Sequence, residues 1–185
     1  MLNEIPLRQL TCALTITAAL LAAPAAAQQG GAPSAAPTTL QAGLANDVGN
    51  LSDKFTGLAR VMSGKYDWRP GAGVRSVSEV FNLIVTENKM LAGMLSGTPP
   101  QGGGGRGNQI TEPAELQEAL RSSYAALKQA VSGLSDSDLK ASVKMFGRDT
   151  TKQGALMMLM FDQHEHLGQS IAYARSNGVV PPWSK

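Results

Sequence analysis

A single cysteine, Cys12, occurs in 185 residues. It does not follow the apolar N-terminal run, so it is not a lipid-attachment cysteine. If the first 27 residues are removed, nothing is left for disulfides, thiolate catalysis or cysteine metal sites. Aromatic residues make up 5% of the chain and the formal net charge is only +2. With no basic stripe and no interleaved aromatics, that charge excludes electrostatic binding of DNA or RNA. No segment alternates strictly enough to read as a strand. The one long apolar run, residues 10–23, is too short and too poorly flanked for a membrane span.

What is there begins with a processing signal. Arg8 precedes the apolar run, and Ala25-Ala26-Ala27 fits a small-x-small cleavage site. The sequence predicts a signal peptide over 1–27 and a mature protein that starts at Gln28, periplasmic or secreted, with no stable membrane span after cleavage. Residues 28–39, rich in Gly, Ala, Pro, Ser and Thr, read as a disordered leader. Residues 40–185 remain, enough for one domain with a core.

Four amphipathic segments fill that domain. Leu40, Leu44, Val48, Leu51, Phe55, Leu58 and Met62 recur at intervals of three or four and predict a first helix. Pro70-Gly71 stops it from continuing. Ser76-Val77-Ser78-Glu79 is a capping box for the second helix, whose stripe runs through Val77, Phe81, Ile84, Asn88, Leu91 and Leu95. A neighbouring stripe carries Leu83, Glu87, Met90 and Met94. Residues 97–107 contain four consecutive glycines and read as a flexible surface loop; without Lys-Ser/Thr they are no P-loop. The third helix opens at Thr111-Glu112-Pro113. An irregular piece around Val143–Gly147 leads to a capping box at Thr150-Thr151-Lys152-Gln153 and a fourth helix that ends before Gly178. The expected fold is an all-α four-helix bundle.

The chemistry gathers in Asp162-Gln163-His164-Glu165-His166-Leu167-Gly168-Gln169. Asp162 and His166, four apart on a helix, share one face and suit one metal ion. His164 points roughly 200° away around the same helix and cannot serve it. Met158, Leu159, Asp162, His166, Gln169 and Tyr173 form a stripe that turns polar halfway along, which a helical interior tolerates only if those groups find partners. The methionines Met90, Met94, Met157, Met158 and Met160 read as adaptable core fillers. Trp68 and Arg69 read as closing one end of the bundle, with a cation–π contact between them.

Tyr66-Asp67-Trp68-Arg69-Pro70, Gly73-Val74-Arg75-Ser76-Val77, His166-Leu167-Gly168-Gln169 and Asn177-Gly178-Val179-Val180-Pro181-Pro182 together resemble the DinB (DinB/YfiT-like) superfamily. The resemblance runs from Leu40 to Ser184. It implies a four-helix bundle with a long crossover connection, and commonly a divalent metal, zinc or nickel, on three histidines. It also implies homodimers, and relatives that are transferases and isomerases using low-molecular-weight thiols, cofactors that export would leave behind. Of the three ligand positions, His166 keeps its histidine. Asp162 replaces the second and still offers oxygen. Leu83 occupies the third, on the second helix, and cannot ligate. Glu87, one turn on, offers a replacement carboxylate, and the set Glu87, Asp162 and His166 is harder than three imidazoles, so that among Zn²⁺, Ni²⁺, Mn²⁺ and Fe²⁺ it would favour Mn²⁺ or Fe²⁺ more than the family usually does.

Two functions follow. In the first, the chain is an exported bundle whose metal site is degenerate, with the metal absent or weakly held, and it binds a small-molecule ligand or a partner. In the second, it is a divalent-metal-dependent enzyme of transferase or hydrolase type built on Asp162 and His166 with Glu87.

Overall fold

The computed structural model describes residues 39–98 and 109–184. The expected signal peptide, the leader up to residue 38 and positions 99–107 of the glycine-rich stretch lie outside the described residues. The rest is mostly helical. Helix α1 spans Leu40–Val61, α2 Val77–Ser96, α3 Pro113–Ser132, a short α4 Asp136–Lys140, and α5 Lys152–Ser176. A 3-10 turn, Ser63–Lys65, follows α1. Among the described residues no helix is long and apolar enough to cross a membrane.

Local chemistry sets each boundary. The Thr39 hydroxyl accepts from the Ala42 amide to start α1. The capping box of α2 closes in both directions: the Ser76 amide donates to Glu79 Oε2 at 2.6 Å and the Glu79 amide to Ser76 Oγ at 3.3 Å. Gly97, at φ +71°, ends α2 in the left-handed conformation that glycine adopts without steric cost. Pro113 opens α3 at its first position, where a missing N–H costs nothing. A second capping box, Ser135 with Asp138, nucleates α4, and hydrogen bonds from the Ser135 side chain and backbone hold the Asp138 carboxyl below its ordinary pKa. The cap of α5 is Thr151 rather than Thr150: its hydroxyl accepts from the Gly154 amide at 3.0 Å.

The expected irregular piece is instead an antiparallel hairpin, β1 (Ser142–Met145) with β2 (Arg148–Thr151), paired from Ser142↔Thr151 to Met145↔Arg148. Its two-residue loop, Phe146-Gly147, has φ of +49° and +76°, the two positive values that a right-twisted hairpin turn of type I′ needs. A Lys144–Asp149 ion pair at 3.3 Å spans the strands.

α1 and α2 each pack against both α3 and α5. Phe55, Phe81, Tyr124 and Tyr66 form a linked aromatic cluster in the core, with centroids 5.9–6.3 Å apart. Val48 through Met62 of the predicted first stripe are buried, whereas Leu40 is exposed and Leu44 only partly covered. Asn82 clamps the segment entering α3: its amide donates to the Ile110 carbonyl at 3.0 Å and its carbonyl accepts from the Ile110 amide at 2.9 Å. α2 and α5 run antiparallel, tied at one end by Tyr173 Oη donating to the Arg75 carbonyl at 3.1 Å and at the other by Lys152 Nζ donating to the Leu95 carbonyl at 2.6 Å.

A buried polar network crosses the core between α2, α3 and α5. Tyr124 Oη donates to Gln163 Oε1 at 3.0 Å, Gln163 Nε2 to Asn88 Oδ1 at 2.7 Å, and Asn88 Nδ2 to Ser123 Oγ at 3.2 Å. Burial pushes the Tyr124 hydroxyl well above its ordinary pKa, so it remains a donor. Truncating the central member strands two buried groups at once. Gln163→Ala is therefore expected to cost about 2–4 kcal/mol in urea denaturation; a cost under about 0.5 kcal/mol, the level of an ordinary surface change, would show that the network contributes nothing.

Candidate metal centre

Glu87 lies on the α2 stripe that faces α5, and Asp162 and His166 lie one turn apart on α5. The antiparallel ties at both helix ends bring these three together. One ligand atom from each, a carboxylate oxygen or an imidazole nitrogen, lies within 4.8 Å of the others. Asp162 Oδ2 stands 3.6 Å from His166 Nε2, too long for a direct hydrogen bond between them. The Asp162 side chain is 46% exposed and that of His166 16%, so the cluster opens to solvent on the aspartate side.

The orientation of His166 is fixed from far away. The Arg75 carbonyl can only accept, so Tyr173 Oη commits its proton there. Tyr173 must then accept, and Gln169 Nε2 donates to it at 2.7 Å. That turns Gln169 Oε1 toward His166 Nδ1 at 2.9 Å, so Nδ1 carries the proton. The lone pair is left on Nε2, the nitrogen that faces Asp162. A hydrogen-bonded chain that fixes an imidazole tautomer in this way is what a ligating histidine requires. Trp68 braces the chain, its ring meeting Tyr173 edge-on at 5.2 Å between centroids.

Glu87 is the anomaly. Its Oε2 is buried and has no hydrogen-bond partner. Burial, then the charge of Asp162 and the hydrogen bond that only a protonated Glu87 can donate to it, raise the Glu87 carboxyl to about 8, with Arg75 opposing weakly. A buried carboxylate facing a second carboxylate is unfavourable without a cation or a proton between them. The donor set fits a divalent ion: two carboxylates, one imidazole with its lone pair free, and an orphaned oxygen.

Leu83 is half-buried one turn before Glu87 and offers hydrocarbon only. His164 points elsewhere, as expected, with Nε2 2.9 Å from Asp47 Oδ2 on α1. Two smaller expectations need correction. Met158 is 44% exposed and is not a core filler, although Met160 is buried. Arg69 pairs with Glu79 at 3.4 Å, and among the described residues a cation–π contact lies instead between Lys54 and Trp183. The Gln169 and Tyr173 roles were half visible in the polar stripe. Their anchor, a backbone carbonyl in the loop before α2, leaves no trace in side-chain pattern.

A mostly helical chain with a carboxylate–imidazole cluster between its second and last long helices defines a class of protein. The family model for the DinB superfamily matches residues 52–170, and this chain belongs to that superfamily. A DinB-like protein of Bacillus cereus shares the fold at a TM-score of 0.66 and 20% identity, over 80% of this chain and 99% of that one. A DinB-like protein of Bacillus subtilis does so at 0.60 and 17% identity, over 75% of this chain and 93% of that one. None of the curated proteins matches.

Proposed function

We propose that this protein is an exported four-helix bundle of the DinB type, with a long crossover, whose pocket holds a divalent cation on Glu87, Asp162 and His166 Nε2. The single observation that carries this reading is the buried, partnerless Glu87 Oε2, on a carboxylate that shares one cluster with the other two donors. Two carboxylates and one imidazole make a harder set than three imidazoles, which shifts preference toward Mn²⁺ or Fe²⁺ relative to a three-histidine site. Such an ion, when bound, supplies Lewis acidity toward a ligand oxygen. The protein's own part is to hold the imidazole tautomer through Gln169 and Tyr173, to keep Glu87 out of water, and to leave the exposed Asp162 side open for a small molecule. That arrangement suits a metal-dependent transferase or hydrolase, and the apolar run before Ala25-Ala26-Ala27 supports a periplasmic or secreted location for it.

One observation favours a second reading. With its pKa near 8, Glu87 keeps a proton at neutral pH, and that proton relieves its repulsion with Asp162 without any metal. The pocket would then be a degenerate one that binds a ligand or partner, with Leu83 filling the place of the lost imidazole.

Thermal melting of untagged protein separates the two. At a Mn²⁺ concentration a hundredfold above its Kd, a bound ion stabilises by about 2.7 kcal/mol, which moves Tm by about 5–10 °C for a domain of this size. Glu87→Ala and His166→Ala should each abolish the shift. Elemental analysis of the purified protein gives the independent reading. No shift with Mn²⁺, Zn²⁺ or Ni²⁺ in the unaltered protein would leave the degenerate pocket standing.

A further inference from the structure

A second cavity lies on the hairpin side of the molecule. It is an open cleft of about 410 Å³, within the range of small-molecule sites, and is lined mainly by Met90, Gly93, Met94, Gly97, Met145 and Phe146. Met90 and Met94 stand three and seven residues after Glu87 on α2, on the same stripe, so the cavity begins within about 5–10 Å of that carboxylate along the helix axis. Its walls are mostly apolar, with Thr98 and the ion-paired Lys144 as polar members, and adaptable, since thioether side chains reshape around different occupants. A side chain added at Gly97 would meet nothing within 4 Å, so the cleft is open beside that residue.

Phe146 is the telling residue. It has φ +49°, and among the described residues no other non-glycine has a positive value. The first position of a type I′ loop suits Asn, Asp or Gly, and a bulky aromatic there is strained. Nor does burial compensate, because Phe146 is 70% exposed. A ring that merely sealed the cavity would be covered by it. A strained, solvent-exposed aromatic at the mouth of a methionine-lined cavity fits a residue kept to contact something that enters.

We propose that this cavity is the binding subsite for the apolar part of a small amphiphilic ligand, an aliphatic or aromatic group, with Phe146 closing against it. The ligand's polar end then faces Glu87, Asp162 and His166, and that alignment rests on the cation reading; the apolar subsite does not.

The neutral fluorescent probe N-phenylnaphthylamine tests it on chelator-treated protein, so that no metal takes part. Saturable one-site binding is expected. Phe146→Asn should weaken it at least tenfold while leaving Tm unchanged or higher, since asparagine relieves the turn. Phe161→Ser, which removes an exposed aromatic on α5 outside the cavity lining, should change nothing. Loss of binding in step with a lower Tm, equal loss in the Phe161 variant, or full binding by Phe146→Asn would each overturn the proposal. Mn²⁺ calorimetry on the same proteins keeps the two sites apart: Phe146→Asn should still bind Mn²⁺, and Glu87→Ala should still bind the probe. Failure of probe binding with Mn²⁺ binding intact removes the subsite alone.

Discussion

Between pH 6 and pH 8, the affinity for Mn²⁺ is expected to rise about tenfold per pH unit and then level off, because one proton must leave Glu87 for each ion bound. The sign follows from the raised carboxyl. Its pKa is 4.5 in the ordinary state and about 8 in the fold, so across that window the folded protein holds a proton that the unfolded chain has already released. The same difference makes the metal-free protein less stable as pH rises. The contribution is fully present below about pH 4.5 and is lost through pH 8, a fall on the order of a few kcal/mol. Glu87→Gln should remove this slope from urea-denaturation curves, leaving the variant more stable than the parent at pH 9 and unable to bind the ion. Calorimetry in two buffers of different ionisation enthalpy counts the released proton directly. An affinity independent of pH over this range would mean that Glu87 is already ionised, or is not a ligand.

That dependence comes from two helices whose meeting was legible in the sequence, and from a loop whose part was not. The periods of three and four in α1, α2, α3 and α5 are set by side-chain burial, and burial leaves its mark on composition. Glu87 could be picked out through the family resemblance, which implies a ligand at Leu83 and so points to the carboxylate one turn further along the same stripe. The hairpin could not, because each strand is only four residues long and its turn places Phe146 where a sequence reader expects Asn or Gly. The cap of α5 fell one residue away from its expected place because Thr150 and Thr151 are chemically alike; only the hydrogen bond to Gly154 tells them apart. The relay that orients His166 ends on the Arg75 carbonyl, and a backbone acceptor carries no residue identity to read. Asn88 looked like one more position in a core stripe. Its amide proves to be part of a network whose other members, Gln163, Tyr124 and Ser123, lie on two other helices.

Leu83→His together with Asp162→His should convert the pocket to three imidazoles and change which ion it prefers. Position 83 is half-buried and one turn from Glu87 on the face that meets α5, so a histidine there can reach toward 162 and 166 without displacing core. His166 needs no alteration, since its Nε2 is already directed by Gln169 and Tyr173. Imidazoles suit Zn²⁺ and Ni²⁺ better than carboxylates do, and affinity for Zn²⁺ is expected to rise by about two orders of magnitude over the parent, read by chelator competition. Preference for Mn²⁺ should fall in parallel. Removing Asp162 also takes away the charge that helps to raise Glu87, so the pH dependence of binding should weaken. In this background Glu87→Ala should cost little affinity, whereas in the parent it should abolish binding. Tyr173→Phe supplies the remaining control: without its hydroxyl the relay to Arg75 is broken, the tautomer of His166 is no longer imposed, and metal affinity should fall about 10- to 100-fold in both backgrounds. If the double-histidine variant folds and gains no Zn²⁺ affinity, then position 83 does not face the cluster, and the assignment of the α2 stripe to the pocket is wrong.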